Sequence, residues 1–232
     1  MSCPMTVQTL LEGWREDVPD AVITGMSLDS RCIEPGHAFV AVAGGSTHGL
    51  TFASEAEARG AVVVIHDGLA AVPELGIPSV AVPGLERRVS ALAARFFHYP
   101  SEQLTVAGVT GTNGKTSTAH FIAQAWHRTS GDGGIVGTIG YGRMGALKRA
   151  SMTTPDPISL QQMLVECTDA GVEKVAIEVS SHALDQGRCD EVAFDAAVFT
   201  NLSRDHLDQP ATIDAYAAAK RRLFIDCHPR FA

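Results

Sequence analysis

Lys115 and Thr116 follow directly on a glycine-containing loop, in the run Val106-Ala107-Gly108-Val109-Thr110-Gly111-Thr112-Asn113-Gly114-Lys115-Thr116-Ser117. A β-like stretch enters the loop, and a helix leaves it with apolar Phe121, Ile122, Ala125 and Trp126 on one face. That order turns several backbone N–H groups toward one point at a helix N-terminus, where the helix dipole also favours an anion. Lys115 can then reach outer phosphates, and the Thr116 hydroxyl can face a magnesium ion. The chemistry predicted is nucleoside triphosphate binding. The general phosphate-loop pattern puts a glycine at position 109, where this chain has valine; Gly108 sits one residue early, so Gly111 is expected to make the sharp turn. A plain strand-to-helix turn is the competing reading, because glycine merely permits positive φ.

Three further segments place reactive side chains after strands or at helix starts, where ligands gather in open α/β sheets. In Ser151-Met152-Thr153-Thr154-Pro155-Asp156-Pro157, two hydroxyls before a rigid turn could bind an anionic substrate; the alternative is a helix start with Pro157 near its first position. In Glu178-Val179-Ser180-Ser181-His182-Ala183-Leu184, Glu178 ends a strand and offers a hard oxygen ligand for magnesium. Ser180 and Ser181 could instead cap the following helix. In Thr200-Asn201-Leu202-Ser203-Arg204-Asp205-His206-Leu207-Asp208, a neutral His206 could ligate a metal with Asp205 or Asp208 orienting it, or simply be polar surface. The final helix carries Lys220, read by spacing alone as a solvated or salt-bridged helix lysine beside a small alanine surface.

The elements that must position these residues alternate between strand-like and helical, which predicts α/β layers with largely parallel strands. A first helix with Val7, Leu10, Leu11 and Trp14 on one face is followed by strands near 21–28 and 38–43, a helix near 51–59, strands at 62–65 and 79–82, and a helix from about 85 to 98. Tyr99-Pro100-Ser101 disfavours helix continuation, so the domain boundary is placed there, giving domains 1–100 and 101–232. The second domain is expected to hold strands at 104–109, 135–139, 174–179 and 196–200, with helices near 158–170 and 213–224. Four strands are few for a doubly wound nucleotide domain and would leave an unpaired edge, which suggests an incomplete catalytic unit.

Composition narrows the function classes. With 232 residues, 45% hydrophobic and 19% charged, the chain reads as an ordinary globular protein rather than a disordered one. A net charge of −8 argues against a general nucleic-acid or anionic-membrane partner, so local amides and lysines must hold any phosphate. Five scattered cysteines predict reduced thiols, and the absence of a signal-peptide pattern or a spanning apolar run predicts a cytoplasmic protein without membrane insertion.

Taken in order, TGTNGKTS, TTPD, EVSSHALDQGR, TNLSRDHLD and YAAAKRRLF resemble the Mur ligases, ATP-dependent enzymes that build the peptide of bacterial peptidoglycan. They look most like the MurE-type branch, which adds the third amino acid, and Ser27-Leu28-Asp29-Ser30-Arg31 with Gly36 and Phe39-Val40-Ala41 is similar to that branch's uridine-binding domain. The resemblance implies a small N-terminal α/β UDP-sugar-binding domain followed by a parallel-sheet ATPase domain. It implies that Gly111, Thr112, Asn113, Gly114, Lys115, Thr116 and Ser117 hold the ATP phosphates. Thr116, Glu178 and His206 then match magnesium (Mg2+) ligands, and Lys220 matches a lysine carbamylated by CO2 that holds a second magnesium. Thr153, Thr154, Ser180, Gln186 and Arg188 match positions that hold the muramoyl-peptide substrate. Leu28, Ser30 and the loop Gly45-Ser46-Thr47 match UDP contacts, although this chain has His48-Gly49-Leu50 where family members often show Asp-Gly-His.

The implied reaction begins with attack of the terminal carboxylate of UDP-N-acetylmuramoyl-L-alanyl-D-glutamate on the ATP γ-phosphate. The amine of the incoming amino acid, meso-diaminopimelate or alternatively L-lysine, then displaces phosphate from the acyl phosphate. Lys115 and bound magnesium would neutralise charge on the transferring group, and Arg188 would orient an anionic part of the substrate. The third, amino-acid-binding domain of the family does not occur within these 232 residues, so a truncated, monomeric ligase is expected. A non-catalytic UDP-sugar- and ATP-binding module and an unrelated phosphate-loop kinase are the competing expectations.

Overall fold

The structure, a computed structural model, describes residues 4–45, 47–150, 152–203 and 212–232. Its contacts separate into two compact units that divide between Phe96 and Phe97.

The first unit opens with β1 (Met5–Thr6), one turn of helix α1 (Val7–Leu10) and β2 (Val22–Ile23), which pairs antiparallel with β1. Trp14 does not extend that helix; its ring lies 5.3 Å from the Arg88 guanidinium and 4.8 Å from that of Arg95. A wholly parallel sheet follows in the order β3 (Gly25–Ser27), β4 (His37–Ala41), β5 (Val63–His66), β6 (Ser79–Ala81), with α2 (Ala53–Ala58) between β4 and β5 and α3 (Val89–Phe96) after β6. Phe39, Val40 and Ala41 are buried in sequence, as a strand covered on both faces requires. Phe39, Leu50, Ala53, Ala56 and Val64 make one core cluster.

Helix boundaries in this unit differ from the sequence expectation. The helix expected from residue 51 opens as a 3-10 turn, Gly49–Phe52, and becomes α-helical at Ala53. The helix expected over 85–98 is a 3-10 turn, Leu85–Arg87, separated from α3 by Arg88 at φ −112°. It stops at Phe96 because His98 and Tyr99 take left-handed conformations, φ 57° and 52°, ahead of Pro100. A residue before proline is disfavoured in right-handed helix, which makes this stop legible afterwards.

The second unit contains β7 (Thr105–Thr110), α4 (Lys115–Ser130), β8 (Gly133–Gly137), β9 (Gly140–Arg143), α5 (Pro157–Asp169), β10 (Lys174–Glu178), α6 (Ser181–Asp185), β11 (Ala196–Phe199) and α7 (Ile213–Ile225). Among the described residues its sheet has the order β11-β7-β10-β8-β9, with the first four strands parallel. The strand β9, antiparallel to β8, was not expected. Its sequence, Gly140-Tyr141-Gly142-Arg143, has glycines at φ 141° and 113° in place of the branched residues that announce a strand. The sheet edges are also less bare than expected. β9 covers β8, and beyond β11 the Ala197 amide donates to Phe231 O at 2.8 Å while the Phe231 amide donates to Asp195 O at 2.9 Å.

α4 turns a different face to the sheet from the one its large apolar residues suggested. Ala119 and Ala123 are buried, Ile122 and Trp126 are partly buried, and Phe121 and Ala125 are exposed. Small residues allow the helix to lie close against β8 and β10, and that close approach outweighs the larger side chains. Among the described residues the cysteines Cys32, Cys167, Cys189 and Cys227 are free thiols, and no helix is long and apolar enough to cross a membrane.

Candidate active site

The chain runs from β7 through α4 to β8, then returns to insert β10 between them, with β11 on the far side of β7. The carboxyl ends of β7, β10 and β8 therefore lie side by side, with Glu178 in register with Val109. At the end of β7, Gly111 has φ 147°, and a Cβ there would lie 1.9 Å from Thr200 Oγ1. Only glycine fits, so Gly111 makes the turn as expected. Gly114, in left-handed conformation, precedes α4, whose first residue is Lys115. The loop is held from the end of β11: the Thr112 amide donates to Asn201 O at 2.9 Å, the Asn113 amide to Asn201 Oδ1 at 3.1 Å, and Thr200 Oγ1 to Asn113 O at 2.6 Å. Thr200 and Asn201 were visible in the sequence as a polar pair after a strand, but their service to the loop was not.

Glu178 is fully buried. Its carboxylate accepts from Thr116 Oγ1 at 2.7 Å, from the Thr138 amide at 2.8 Å and from Thr138 Oγ1 at 3.3 Å. All three donors are neutral, so the charge of Glu178 is hydrogen-bonded but not neutralised by them. A Cβ on Gly137 would lie 2.1 Å from Glu178 Oε1, so glycine at the end of β8 is what admits the carboxylate. Gly137 and Thr138 belong to the site and were missed; the signal was a Gly-Thr pair ending an apolar strand. Among the described residues no three His, Cys, Asp or Glu side chains converge. A hard cation here would take Thr116 and Glu178, with water and phosphate oxygens completing the shell, which is how magnesium commonly binds. The donor set fits that ion. His206, with Asp205 and Asp208, lies outside the described residues.

Both lysines fold onto the glycine loop. Lys115 does not extend outward; its Nζ donates to Gly111 O at 2.8 Å and Thr112 O at 2.9 Å, folding over the loop. Lys220 is not solvated, and among the described residues it has no salt-bridge partner: it is 2% exposed, its Nζ donates to the same Gly111 oxygen at 2.9 Å, and it lies 4.1 Å from the centroid of the Tyr216 ring. Burial pushes its ammonium down to about 8, and burial together with the charge of Lys220 also lowers that of Lys115.

On the other side of Glu178, the bland readings of two segments hold alongside a tight connection between them. Asp156 caps α5, accepting from the Ile158 and Ser159 amides at 3.0 Å, with Pro157 at the helix start. Ser180 caps α6 by accepting from the Ala183 amide at 3.2 Å. Thr154 is buried, donating to Glu178 O at 2.8 Å and accepting from the Ser180 amide at 3.0 Å. Thr153 is half-buried, with its hydroxyl 3.0 Å from that of Thr138. The Arg188 guanidinium donates to Thr154 O at 2.8 Å and through two nitrogens to Gln186 Oε1, at 2.9 and 2.7 Å. Thr153, Thr154, Ser180, Gln186 and Arg188 are thus joined to the strand end that carries Glu178.

In the first unit, Ser30 is buried and donates to Glu55 at 2.8 Å, while Leu28 is half-exposed. Gly45 and Thr47 are exposed on the loop that follows β4; Ser46 lies outside the described residues.

A phosphate loop at the end of one parallel strand and a carboxylate at the end of its neighbour, preceded by a separate parallel-sheet unit, define the class, and the chain belongs to the Mur ligase family. Residues 109–231 match the Mur ligase middle domain, and residues 22–104 match the Mur ligase family, catalytic domain. The chain is 50% identical over 214 residues to UDP-N-acetylmuramoyl-L-alanyl-D-glutamate–2,6-diaminopimelate ligase of Xylella fastidiosa (strain Temecula1), covering 90% of this chain and 43% of that one. It is 48% identical over 207 residues to the protein of the same name from Pseudomonas aeruginosa, covering 88% and 42%. A solved structure of UDP-N-acetylmuramoyl-L-alanyl-D-glutamate–2,6-diaminopimelate ligase superposes with a TM-score of 0.79 at 33% identity, over 97% of this chain and 45% of that one. The fold alone is shared with MurF ligase from Thermotoga maritima in complex with ADP, with a TM-score of 0.60, 22% identity, and 88% and 43% covered. The chain spans less than half the length of these relatives.

Proposed function

We propose that this chain is the UDP-substrate-binding and ATP-binding part of a ligase that joins 2,6-diaminopimelate to UDP-N-acetylmuramoyl-L-alanyl-D-glutamate. The observation that carries the reading is the Thr116–Glu178 hydrogen bond, which ties the first turn of α4 to the end of β10 beside the phosphate loop. The assignment of residues up to about 100 to the UDP end of the substrate, and of 101–232 to ATP, follows the order of the motifs and the names of the relatives.

In this reading the amides of Gly111 to Ser117 receive the ATP phosphates at the start of α4. Lys115 leaves the Gly111 and Thr112 carbonyls and turns to the phosphates, a short movement for a side chain already at the loop. Thr116 and Glu178, with His206, would hold magnesium, which when bound neutralises the transferring phosphoryl group. Arg188, fixed by Gln186 and Thr154, turns its guanidinium toward an anionic group of the muramoyl peptide, with Thr153 and Ser180 beside it. The substrate carboxylate attacks the γ-phosphate, ADP leaves, and the amine of the amino acid displaces phosphate from the acyl phosphate. Leu28, Ser30 and the loop of Gly45, Ser46 and Thr47 contact the UDP end.

Lys220 supports a covalent role. A buried amine with its ammonium pushed down to about 8 has a substantial neutral fraction near physiological pH, and only a neutral amine can add CO2. The carbamate would replace a buried cation by an anion next to the metal-binding groups. The monomeric state, a cytoplasmic location and the choice of diaminopimelate over L-lysine belong to the same reading.

A coupled phosphate-release assay tests the reaction. The substrates are ATP, magnesium, the UDP-muramoyl-dipeptide and either diamino acid, and the enzyme is this chain alone or the same residues within a polypeptide of the relatives' full length. Release with the long form that requires the dipeptide and diaminopimelate supports the proposal. No release from the long form with any amino acid refutes it, and hydrolysis indifferent to the muramoyl substrate favours a phosphate-loop ATPase.

A further inference from the structure

The loop after β4 is fastened at both feet by one buried carboxylate. Asp67, directly after β5, has a side chain with no exposure, and it accepts from the Ala43 amide at 3.2 Å and the Leu69 amide at 2.9 Å. His48, five residues after Ala43, brings Nε2 to 2.9 and 3.0 Å from the two Asp67 oxygens. Its other nitrogen, Nδ1, accepts from the Leu50 amide at 3.1 Å. An imidazole that accepts at Nδ1 carries its proton on Nε2, so the two contacts fix one tautomer. Between the feet, Ala43 and His48 form an antiparallel bridge, the Gly44 amide donates to Thr47 O at 3.1 Å, and the Gly49 amide to Val42 O at 2.9 Å. Gly45 and Thr47 are left exposed at the carboxyl end of a parallel sheet, the end at which such sheets present ligand-binding groups.

The geometry points to His48 and Asp67 as positioning residues that hold the Gly45 and Thr47 backbone in place for the nucleotide end of the substrate. This inference rests on the proposed uridine nucleotide contact of that loop. Neither residue needs to touch the ligand. The arrangement sets a chemical condition: the group at 67 must accept from Ala43, Leu69 and His48 together. Asparagine cannot, because one of the two oxygens becomes an NH2 group, which sets a donor against the Ala43 or the Leu69 amide whichever way the side chain is turned. Glutamine at 48 can do what histidine does, donating from its amide to Asp67 and accepting from Leu50.

The test titrates UDP, and separately magnesium-ADP, into the 232-residue chain carrying Asp67→Asn or His48→Gln, and follows amide hydrogen exchange at Ala43, Gly44 and Gly49 without ligand. Asp67→Asn is expected to speed exchange at those amides and weaken UDP about tenfold or more, with ADP affinity within about twofold of the parent. His48→Gln is expected to keep UDP affinity within about threefold. Faster exchange with unchanged UDP affinity would overturn the inference by showing a purely structural fastening, and unchanged exchange would overturn it by showing no fastening. If the parent chain binds ADP and not UDP, the uridine reading fails and the positioning role goes with it, a pattern distinct from either.

Discussion

Lys220 shows how far a single residue can depart from its spacing. Among the described residues the buried ammonium is met by one carbonyl and one aromatic face, which compensate it poorly, so function and stability should oppose each other here. Lys220→Met is expected to raise folding stability at pH 7 by on the order of 1–3 kcal/mol, measured by urea unfolding. The sign with pH follows from a folded value of about 8 against the ordinary lysine value of 10.5. Below about 8 both states carry the charge and the penalty is complete; above it the folded amine loses its proton and the gain of the variant should shrink. The same titration sets the covalent chemistry. With 13C-bicarbonate, a carbamate carbon signal should grow as pH rises through about 8 and be missing from Lys220→Arg; a signal equal in that variant would remove the lysine from the account. Sequence could not show any of this, because α7 reaches Gly111 only through tertiary packing across 109 positions. Glu178, in contrast, was legible: a carboxylate that ends an apolar strand is hard to explain as core.

At the scale of elements, the site depends on strand ends meeting closely. Gly137→Ala would place a methyl carbon against Glu178 Oε1, and the carboxylate would have to leave the Thr138 amide or β8 would have to shift. We expect a loss of about 1–3 kcal/mol in stability by denaturant unfolding, together with weaker magnesium-dependent nucleotide binding. Asp156→Ala removes the cap of α5 and should cost about 1–2 kcal/mol in the same measurement without altering ADP affinity. The parallel strands and most helices could be read from periodicity, but β9 could not, since Gly140 and Gly142 erase its pattern. The face of α4 was misread for a related reason. Residue size suggested Phe121, whereas close packing on the sheet selects Ala119 and Ala123. Periodicity reports which face is apolar; it does not report how near the neighbouring backbone comes.

At the scale of the whole molecule, two compact units with separate cores should respond to separate ligands. In scanning calorimetry, UDP is expected to raise the unfolding temperature of one transition and magnesium-ADP that of another, because each ligand stabilises the unit that binds it. A single transition raised by both would show that the two units unfold together. The family was legible from the ordered motifs together, and no one of them was sufficient: the phosphate loop alone fits many nucleotide enzymes, and Lys220 alone fits none. The central claim is that Thr116 and Glu178 form the metal-nucleotide site at the loop. It is tested most directly by titrating a non-hydrolysable ATP analogue, with and without magnesium, into the parent chain and Glu178→Gln, which keeps the volume and can still accept from Thr138. Magnesium should strengthen binding about tenfold or more in the parent and have little effect in the variant; the same magnesium dependence in both proteins would contradict the account.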